Sequence, residues 1–256
     1  MDELREYQHD FSADNTSMHD VVGRERKAAT MVAVLNHYFK DSLSNLQVLD
    51  VGASTGIIDN YLANHFGSVI GMDIDQRGID AAGEQFSKRN LQFMVGDAMD
   101  TGLSENSVDV VICSQVYEHV PDSMKMMEEI YRILRPAGIC YFAASNRIMW
   151  NEPHYNLPLL SVIPRPLAHW YVRLSGKATR YHELHYSYWG LMKLIKRVQL
   201  IDYTARMIED PTTYSVEYML AAGSGKQSIA KAMLRYAYWL VPGYIWLLRK
   251  PGELAK

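Results

Sequence analysis

The sequence predicts an α/β protein built on a doubly wound, mostly parallel sheet. Between Gln47 and Ala144, short runs of β-branched and apolar residues alternate with longer amphipathic segments, which is typical of parallel strands joined by helices. One run, residues 108–113, is almost continuously apolar, as expected of a central strand covered on both faces. Composition agrees, because 48% of the 256 residues are hydrophobic and 21% are charged, as in globular proteins and unlike disordered or multispanning chains.

Hydrophobic periodicity assigns the elements in chain order. We expect a mobile stretch of about twenty residues, then a helix over 25–39 that packs over the sheet edge or roofs the cleft. The predicted strands cover 47–51, 69–73, 91–95, 108–114, 139–144, 200–207 and 244–248, the last of them antiparallel. The predicted helices cover 55–65, 77–88, 123–134, 188–197 and 228–240. The prediction is therefore a sheet of about seven strands.

The chain is predicted to form one domain with an inserted lid after the fifth strand. Residues 147–187 are rich in proline and aromatic residues and are too apolar for a linker, so we expect them to pack on the core. The expected parts of the domain 1–256 are an amino-terminal helical cap (1–45), a ligand-binding core (46–146), the lid (147–187) and carboxyl-terminal helices and strands that complete the sheet (188–256).

Charge and cysteine content exclude several classes of protein. With 26 basic and 29 acidic residues the net charge is −3, which disfavours a nucleic-acid partner. Two cysteines, Cys113 and Cys140, are too few for a disulfide framework and stand in apolar runs, which favours a reducing, cytoplasmic setting. Residues 1–6 lack signal-peptide features, and the apolar stretch 236–248 is shorter than the roughly 20 residues of a spanning helix.

The segment 226–241 allows two interpretations. Apolar residues recur there at helical spacing beside Lys226, Lys231 and Arg235. Such a helix either covers its own domain or lies on an anionic membrane surface. We favour the first interpretation and keep peripheral membrane contact through 226–241 as the alternative.

The loop after the first predicted strand has the composition of a ligand-binding turn. Asp50 ends the strand, and Gly52, Ser54 and Gly56 open a tight loop of small residues that leads into a helix. Ligands of open α/β sheets bind at the carboxyl ends of such strands. A dinucleotide site is disfavoured, because G-x-G-x-x-G would need glycine where this chain has Ser54 and Ile57.

The stretch from Asp50 to Gly56 resembles motif I of the class I S-adenosylmethionine-dependent methyltransferases, an acid followed by G-x-G-x-G, with Ser54 in place of the middle glycine. This departure is mild if Ser54 has ordinary dihedrals and worse if its φ is positive. Further resemblances follow in the family's order at 69–75, 93–98, 108–120 and 133–144, where Ala137 replaces a usual glycine. Together they cover about residues 25–146 and are similar to small-molecule enzymes of ubiquinone and menaquinone pathways.

The resemblance implies a Rossmann-like fold, S-adenosylmethionine as cofactor and a set of site residues. The cofactor's carboxylate and ammonium would meet the amides of the first loop and the Asp50 neighbourhood, Asp73 would accept from both ribose hydroxyls, and Ile74, Asp97 and Ala98 would surround adenine. The expected cofactor-binding residues are Asp50, Gly52, Ala53, Ser54, Gly56, Asp73, Ile74, Asp97, Ala98, Ser114 and Gln115.

The lid and the turn after the fourth strand carry candidate catalytic residues. His154, His185 and Glu118 can position or deprotonate an acceptor, although Glu118 and His119 can instead cap the next helix. The expected substrate-binding residues are Trp150, Tyr155, His182 and Tyr186. The spacings H-x-x-H and E-x-H are not diagnostic of a metal site, so we expect no metal.

These observations predict methyl transfer to an oxygen or carbon atom of a small-molecule acceptor. The chain lacks the Asn/Asp-Pro-Pro-Tyr/Phe tetrapeptide, which disfavours the amines of nucleic-acid bases. Two alternatives stay open at this point. One is a peripheral membrane methyltransferase acting on a lipid-linked glycan or quinone precursor, and the other is a cofactor-binding protein without transferase activity.

Overall fold

A computed structural model describes residues 8–40 and 42–252 of the chain. The strands are β1 (Gln47–Val51), β2 (Ser68–Asp73), β3 (Leu91–Val95), β4 (Val108–Ser114), β5 (Leu134–Ser145), β6 (Asn151–Glu152), β7 (Leu157–Pro158), β8 (Gln199–Asp202) and β9 (Gly243–Arg249). The α-helices are α1 (Phe11–Asp14), α2 (Val21–Phe39), α3 (Ile57–Leu62), α4 (Gln76–Gln85), α5 (Ser123–Ile133), α6 (Arg165–Leu174), α7 (Tyr188–Leu194), α8 (Thr204–Glu209) and α9 (Gly225–Tyr236).

Seven strands form one mixed sheet in the order β3-β2-β1-β4-β5-β9-β8. Strands β1 to β5 pair in parallel, and β9 is antiparallel to both of its neighbours, so β8 again runs parallel to β5. The predicted Rossmann-like α/β sheet with an antiparallel last strand is confirmed. The chain order reverses between β1 and β4, and this arrangement opens a crevice at the carboxyl ends of the strands.

The sheet is covered on both faces, because successive strand residues point to opposite sides. On one face Val51, Cys113 and Trp246 pack with α5 and α7. On the other face Val48 and Ile112 pack with α2 and α3. The nearly continuous apolar character of β4 is thereby explained, and both cysteines are buried.

The amino-terminal residues that the structure describes pack onto the site end of the sheet. The Asp75 carboxylate accepts hydrogen bonds from the Ser12 amide at 2.8 Å and the Ser12 hydroxyl at 2.6 Å. The Thr55 hydroxyl donates to the carbonyl of Met18 at 2.7 Å. The expectation of a mobile stretch of twenty residues is therefore wrong for residues 8–20, because side-chain hydrogen bonds hold them. Residues 1–7, including the segment without signal-peptide features, lie outside the described residues.

Residues 147–187 form a small unit with its own apolar cluster. The hairpin of β6 and β7 precedes α6, and Leu160, Val172 and Tyr181 are buried against one another. The Tyr117 hydroxyl donates to the carbonyl of Ser145 at 2.6 Å and accepts from the amide of Tyr186 at 3.2 Å. Tyr117 therefore holds both ends of this insertion to the sheet.

The predicted strand over 200–207 is wrong beyond Asp202. Strand β8 ends there, and the Asp202 carboxylate accepts from the Thr204 amide at 2.8 Å, which turns the chain into α8. The predicted helix over 228–240 begins earlier, because the Ser224 hydroxyl accepts from the Gln227 amide, and it ends at Tyr236 before a 3₁₀ turn. Within the part of the chain that is described, no helix is both long and apolar enough to cross a membrane.

Candidate functional site

One cavity of about 910 Å³ lies at the carboxyl ends of the central strands. This volume is near the upper end of the roughly 300–1,000 Å³ typical of small-molecule sites. Most of the predicted cofactor residues line it: Asp50, Gly52, Ser54, Asp73, Ile74, Asp97, Ala98, Ser114 and Gln115. The cavity therefore joins the tips of four parallel strands at the point where the sheet order reverses.

The other two predicted residues of the first loop, Ala53 and Gly56, do not belong to the described cavity wall. Ala53 is buried. Gly56 has a φ of +72° and stands where a Cβ would come within 2.8 Å of the Phe93 ring. It therefore supports the packing of α3 on the sheet.

The first loop uses three of its backbone amides to hold itself to β2. Its amides are used internally: Gly52 and Ala53 donate to the carbonyl of Met72, and Ser54 donates to Asp73. These three amides tie the loop to β2, and contact between the first loop and the charged end of a cofactor remains a prediction. Ser54 has a φ of +53°, so its replacement of glycine is the strained case.

A buried cation stands at this loop where the sequence analysis placed none. Arg24 of α2 lines the cavity, and its Nη2 donates to the carbonyl of Ala53 at 3.4 Å. Burial lowers its pKa, whereas Asp50 and Asp59 raise it. Only helical spacing could have indicated from the sequence that Arg24 is buried, because Arg24 shares a helix face with the buried Ala28 and Met31.

The two carboxyl groups near Arg24 are buried as well. Burial raises the pKa of Asp50 well above its ordinary value, and the neighbouring Asp59 raises it further. Burial also raises the pKa of Asp59 to about 7. Neither carboxylate oxygen of Asp59 has a hydrogen-bond partner among the described residues. The guanidinium of Arg24 therefore lies near two acids that resist ionisation, of which Asp50 lines the cavity.

Asp73 and Asp97 end β2 and follow β3. The oxygens of Asp73 accept from the amides of Ser54 at 2.8 Å and Asp75 at 3.0 Å, while burial raises its pKa. Asp97 accepts from the Met99 amide at 2.9 Å. Each carboxylate oxygen has two acceptor positions, so these bonds fix the side chains and leave acceptor capacity toward the cavity.

The opposite wall of the cavity comes from the carboxyl-terminal part of the chain. Its apolar lining includes Met207, Tyr218, Met219, Ile229, Met233 and Tyr244. The predicted substrate-binding residues belong to the lid, but within the described residues the lid contributes Pro153 and His154 to the cavity wall. No local pattern could reveal this, since α8 and α9 approach the cavity only through the pairing of β8 with β9.

The predicted substrate-binding residues lie away from the described cavity wall. Trp150 is 73% exposed. Tyr155 packs against Tyr181. Tyr186 stacks on Tyr117, and the carbonyl of His182 accepts from Arg165. The structure does not bring these four side chains together, and their assignment remains a prediction.

The three predicted catalytic residues do come together. Nδ1 of His154 is 2.6 Å from Oε1 of Glu152, and Nε2 of His185 is 3.3 Å from the same oxygen. Glu118 is buried beside them. Burial opposes ionisation of Glu152, but the hydrogen bonds from both histidines lower its pKa to about 2. Only His154 of the three predicted residues belongs to the described cavity wall, and His119 joins it there.

The central part of the chain matches a known protein family. Residues 49–142 match the family described as "Methyltransferase domain". These residues, called the methyltransferase domain below after this match, make up less than half of the chain. The domain runs from β1 into β5, so it holds the predicted cofactor residues, whereas the lid and the apolar wall of the cavity follow it in the chain.

Curated relatives resemble the methyltransferase domain and not the whole chain. The ubiquinone biosynthesis O-methyltransferase of Coxiella burnetii is 29% identical over 108 residues, which cover 41% of this chain and 46% of the relative. That of Psychrobacter cryohalolentis is 30% identical over 111 residues, covering 41% and 43%. The chain thus spans less than half the length of these curated relatives.

Solved structures share the fold at low sequence identity. The phosphoethanolamine N-methyltransferase 1 of Haemonchus contortus, in complex with phosphoethanolamine and S-adenosylhomocysteine, aligns with a TM-score of 0.61 and 17% identity, over 100% of this chain and 50% of that one. A chain from the Haloferax volcanii complex between the Trm112 methyltransferase activator and a methyltransferase aligns with a TM-score of 0.59 and 17% identity, over 99% and 100%. The fold around the methyltransferase domain is therefore common to both.

Proposed function

We propose that this protein transfers a methyl group from S-adenosylmethionine to a small-molecule acceptor. The observation that carries the proposal is that Asp50, Asp73 and Asp97, at three successive strand ends of a methyltransferase domain, line one cavity. A cavity of about 910 Å³ offers room for a cofactor and an acceptor side by side.

The residues present fit the cofactor. Asp73 accepts the ribose hydroxyls, with its carboxylate held by the Ser54 amide. Asp97 and Ala98 face adenine beside Ile74. Arg24 binds the cofactor carboxylate, because its Nε is buried without a hydrogen-bond partner in the described chain and its guanidinium lines the same end of the cavity.

The acceptor end favours an apolar molecule with an oxygen or carbon nucleophile. Bound S-adenosylmethionine supplies an electrophilic methyl on sulfur, and the chain has to align the acceptor with it and exclude water. Met207, Ile229 and Met233 provide an apolar wall for this purpose. His154 is the predicted catalytic residue that reaches the cavity, while Glu118 and His185 lie behind it.

Calorimetric titration with S-adenosylhomocysteine tests the cofactor assignment. We expect Asp73→Asn to weaken binding by roughly 10- to 150-fold, which corresponds to about 1.5–3 kcal/mol for a hydrogen bond to a charged group. The matched control is Asp80→Asn on the exposed face of α4. Equal affinity of wild type and Asp73→Asn, or a loss of the same size in the control, would refute the ribose role.

An acceptor attached to a lipid is the second candidate, favoured by exposed apolar side chains on two helices. On α6, Leu167, Trp170 and Leu174 are 59%, 62% and 82% exposed, beside Arg173. On α9, Ile229 lines the cavity and is 66% exposed. Basic amphipathic helices with exposed aromatic residues bind anionic membrane surfaces, and α9 would place such a surface at the cavity.

Co-sedimentation with anionic and neutral phospholipid vesicles tests this candidate. Binding to anionic vesicles that Trp170→Ser and Ile229→Ser each reduce would support it. Val22→Ser, at an exposed position of α2, is the control. If the wild type does not bind either kind of vesicle, the lipid-attached acceptor is refuted and a small-molecule acceptor in solution is favoured.

A cofactor-binding role without transfer is the remaining alternative. It would require the lid to fill the acceptor space, whereas the described lid contributes two residues to a cavity that stays open beside the strand tips. Release of S-adenosylhomocysteine with a broad acceptor panel separates the two. Tight cofactor binding with no turnover of any acceptor would favour the non-catalytic protein.

A further inference from the structure

A compact cluster of histidine and glutamate side chains lies between the turn after β4 and the lid. Its members are Glu118, His119, Glu152, His154, Glu183 and His185. They come from three separate segments, which is why their spacings in the sequence predicted no metal. All three carboxylates and His185 are buried.

Two carboxyl groups of this cluster have buried oxygens that receive no hydrogen bond from the described residues. Both carboxylate oxygens of Glu118 and Oε2 of Glu183 are buried without hydrogen-bond partners among residues 8–40 and 42–252. Burial of a carboxylate without partners is costly, and proteins resolve this cost by pairing the group, neutralising it or binding a cation. The neighbouring histidines are the groups available here, and they are also the commonest metal ligands.

Three of these side chains have the composition of a zinc site with an open position. Ligand atoms of His119, His154 and Glu183 all lie within 4.8 Å of one another, and the two imidazole rings stand edge to face at 4.8 Å. Tetrahedral zinc with bonds of about 2.0–2.2 Å places its ligands roughly 3.3–3.5 Å apart, so side-chain rotation can close the set. Two histidines and a glutamate are also the ligands of one class of catalytic zinc sites.

Glu152 acts as the outer partner of this set. Its Oε1 accepts from Nδ1 of His154 at 2.6 Å, which leaves Nε2 of His154 as the nitrogen for a cation. A second group, Glu152, His154 and His185, is equally compact, but there a nitrogen of each histidine already contacts the same oxygen of Glu152. We choose the set that contains His119 and Glu183 because it keeps Glu152 as the outer partner of His154.

We propose that His119, His154 and Glu183 bind one divalent cation of the zinc type, with its fourth position open toward the cavity. His119 and His154 both line that cavity. The open position takes an oxygen ligand, either water or a hydroxyl or carboxylate of the acceptor. The proposal that these residues bind a cation does not depend on the proposed methyl transfer. The proposal that the cation orients an acceptor oxygen does depend on it.

Zinc binding is measured on protein that has been treated with chelator and dialysed, using the metal alone and no methyl donor. We expect one zinc ion per chain and a raised unfolding temperature. His119→Gln, His154→Gln and Glu183→Gln should each weaken binding by more than about 100-fold, and Glu152→Gln by roughly 10- to 100-fold as an outer partner. His9→Gln, at an exposed position, is the control and should bind as wild type.

X-ray absorption of the zinc-loaded wild type gives a measurement that does not depend on variants that fold poorly. Two imidazole ligands with nitrogen at about 2.0–2.1 Å would support the proposal. Failure of the wild type to bind at one-to-one stoichiometry, a spectrum without imidazole, or unchanged affinity in folded ligand variants would overturn it. S-adenosylhomocysteine titration of the same samples shows separately whether the cofactor assignment holds.

Discussion

The amide of Ser54 donates to Oδ2 of Asp73 at 2.8 Å and joins the loop after β1 to the tip of β2. The loop is further tied to β2 by the Gly52 and Ala53 amides, which both donate to the carbonyl of Met72. Two of the strand tips that face the proposed cofactor are therefore one rigid unit. Changes in the first loop should alter ligand binding through Asp73 as well as directly.

Replacement of Ser54 by glycine should stabilise the protein. Ser54 has a φ of +53° and a buried hydroxyl oxygen without a partner in the described chain. A non-glycine residue in this region costs about 1–3 kcal/mol, against roughly 0.5–1 kcal/mol for the flexibility that glycine adds. We expect Ser54→Gly to raise the free energy of unfolding by about 1 kcal/mol, measured by urea denaturation.

Two alanines provide the controls for this prediction. Ala137 has a φ of +65° at an exposed position near the start of β5, so Ala137→Gly should also stabilise. Ala81 lies on the exposed face of α4, where glycine costs about 1 kcal/mol, so Ala81→Gly should destabilise. The same sign for both alanine variants would contradict the strain argument.

Gly52→Ala should impair the site more than its backbone conformation alone explains. Gly52 has a φ of +88°, and a Cβ there would stand 2.8 Å from Cγ2 of Val116. Gly102 has a similar φ of +70° with open space around it, so Gly102→Ala isolates the conformational cost. We expect Gly52→Ala to lose more stability than Gly102→Ala and to weaken S-adenosylhomocysteine binding, by denaturation and calorimetry. Equal losses of stability in Gly52→Ala and Gly102→Ala would show that the Val116 side chain moves aside at no energetic cost.

Glu129 should make stability depend on acidic pH. Hydrogen bonds from Arg132 and Thr101 lower its pKa from 4.5 to about 2. Because the folded-state pKa is depressed, this stabilisation is complete above about pH 4.5 and is lost as the pH falls toward 2. Glu129→Gln should unfold more easily at pH 7 and lose less stability on acidification than wild type.

The neighbouring Glu128 is the control for this pH profile, since its side chain is 58% exposed and 3.9 Å from Arg197. Glu128→Gln should keep the wild-type dependence on pH. Denaturant unfolding at several values between pH 7 and 3 measures all three proteins. Parallel curves of unfolding free energy against pH for wild type and Glu129→Gln would show that Glu129 is not the source of the pH dependence.

Tyr117→Phe should loosen the lid. The Tyr117 hydroxyl bonds both the Ser145 carbonyl and the Tyr186 amide, and its loss leaves these two backbone groups without that partner. A lost partner of a buried polar group costs about 1–3 kcal/mol. We expect lower stability and faster proteolysis within 147–187, followed by mass spectrometry. Tyr236 is exposed, so the control Tyr236→Phe should change neither the stability nor the rate of proteolysis.

The bounds of three strands agree with the prediction. β1, β3 and β4 begin and end as predicted, because each carries a run of mainly apolar residues that stops at a loop or turn. The prediction failed at 203–207, where Thr204 bonds Asp202 and turns an apolar strand pattern into a helix. Periodicity does not register a side-chain hydrogen bond of that kind.

Only the side of the candidate site formed by the strand ends could be predicted from the sequence. Asp50, Asp73 and Asp97 lie at or just beyond the carboxyl ends of strands, and parallel strands bring these ends to one edge of the sheet. Arg24 was missed because a single basic residue on an apolar helix face does not reveal what it approaches. Met207 and Ile229 were missed because their position depends on β9 inserting between β5 and β8.

The sequence by itself determined the α/β architecture and the acidic strand ends, since both follow from short-range patterns of burial and loop composition. Tertiary structure alone decided which segments face the cavity and which polar groups share a buried space. Glu118, His154 and Glu183 are distant in the chain and meet only when the lid packs beside β4. Contacts between distant segments depend on the packing of whole elements, and no local pattern encodes them.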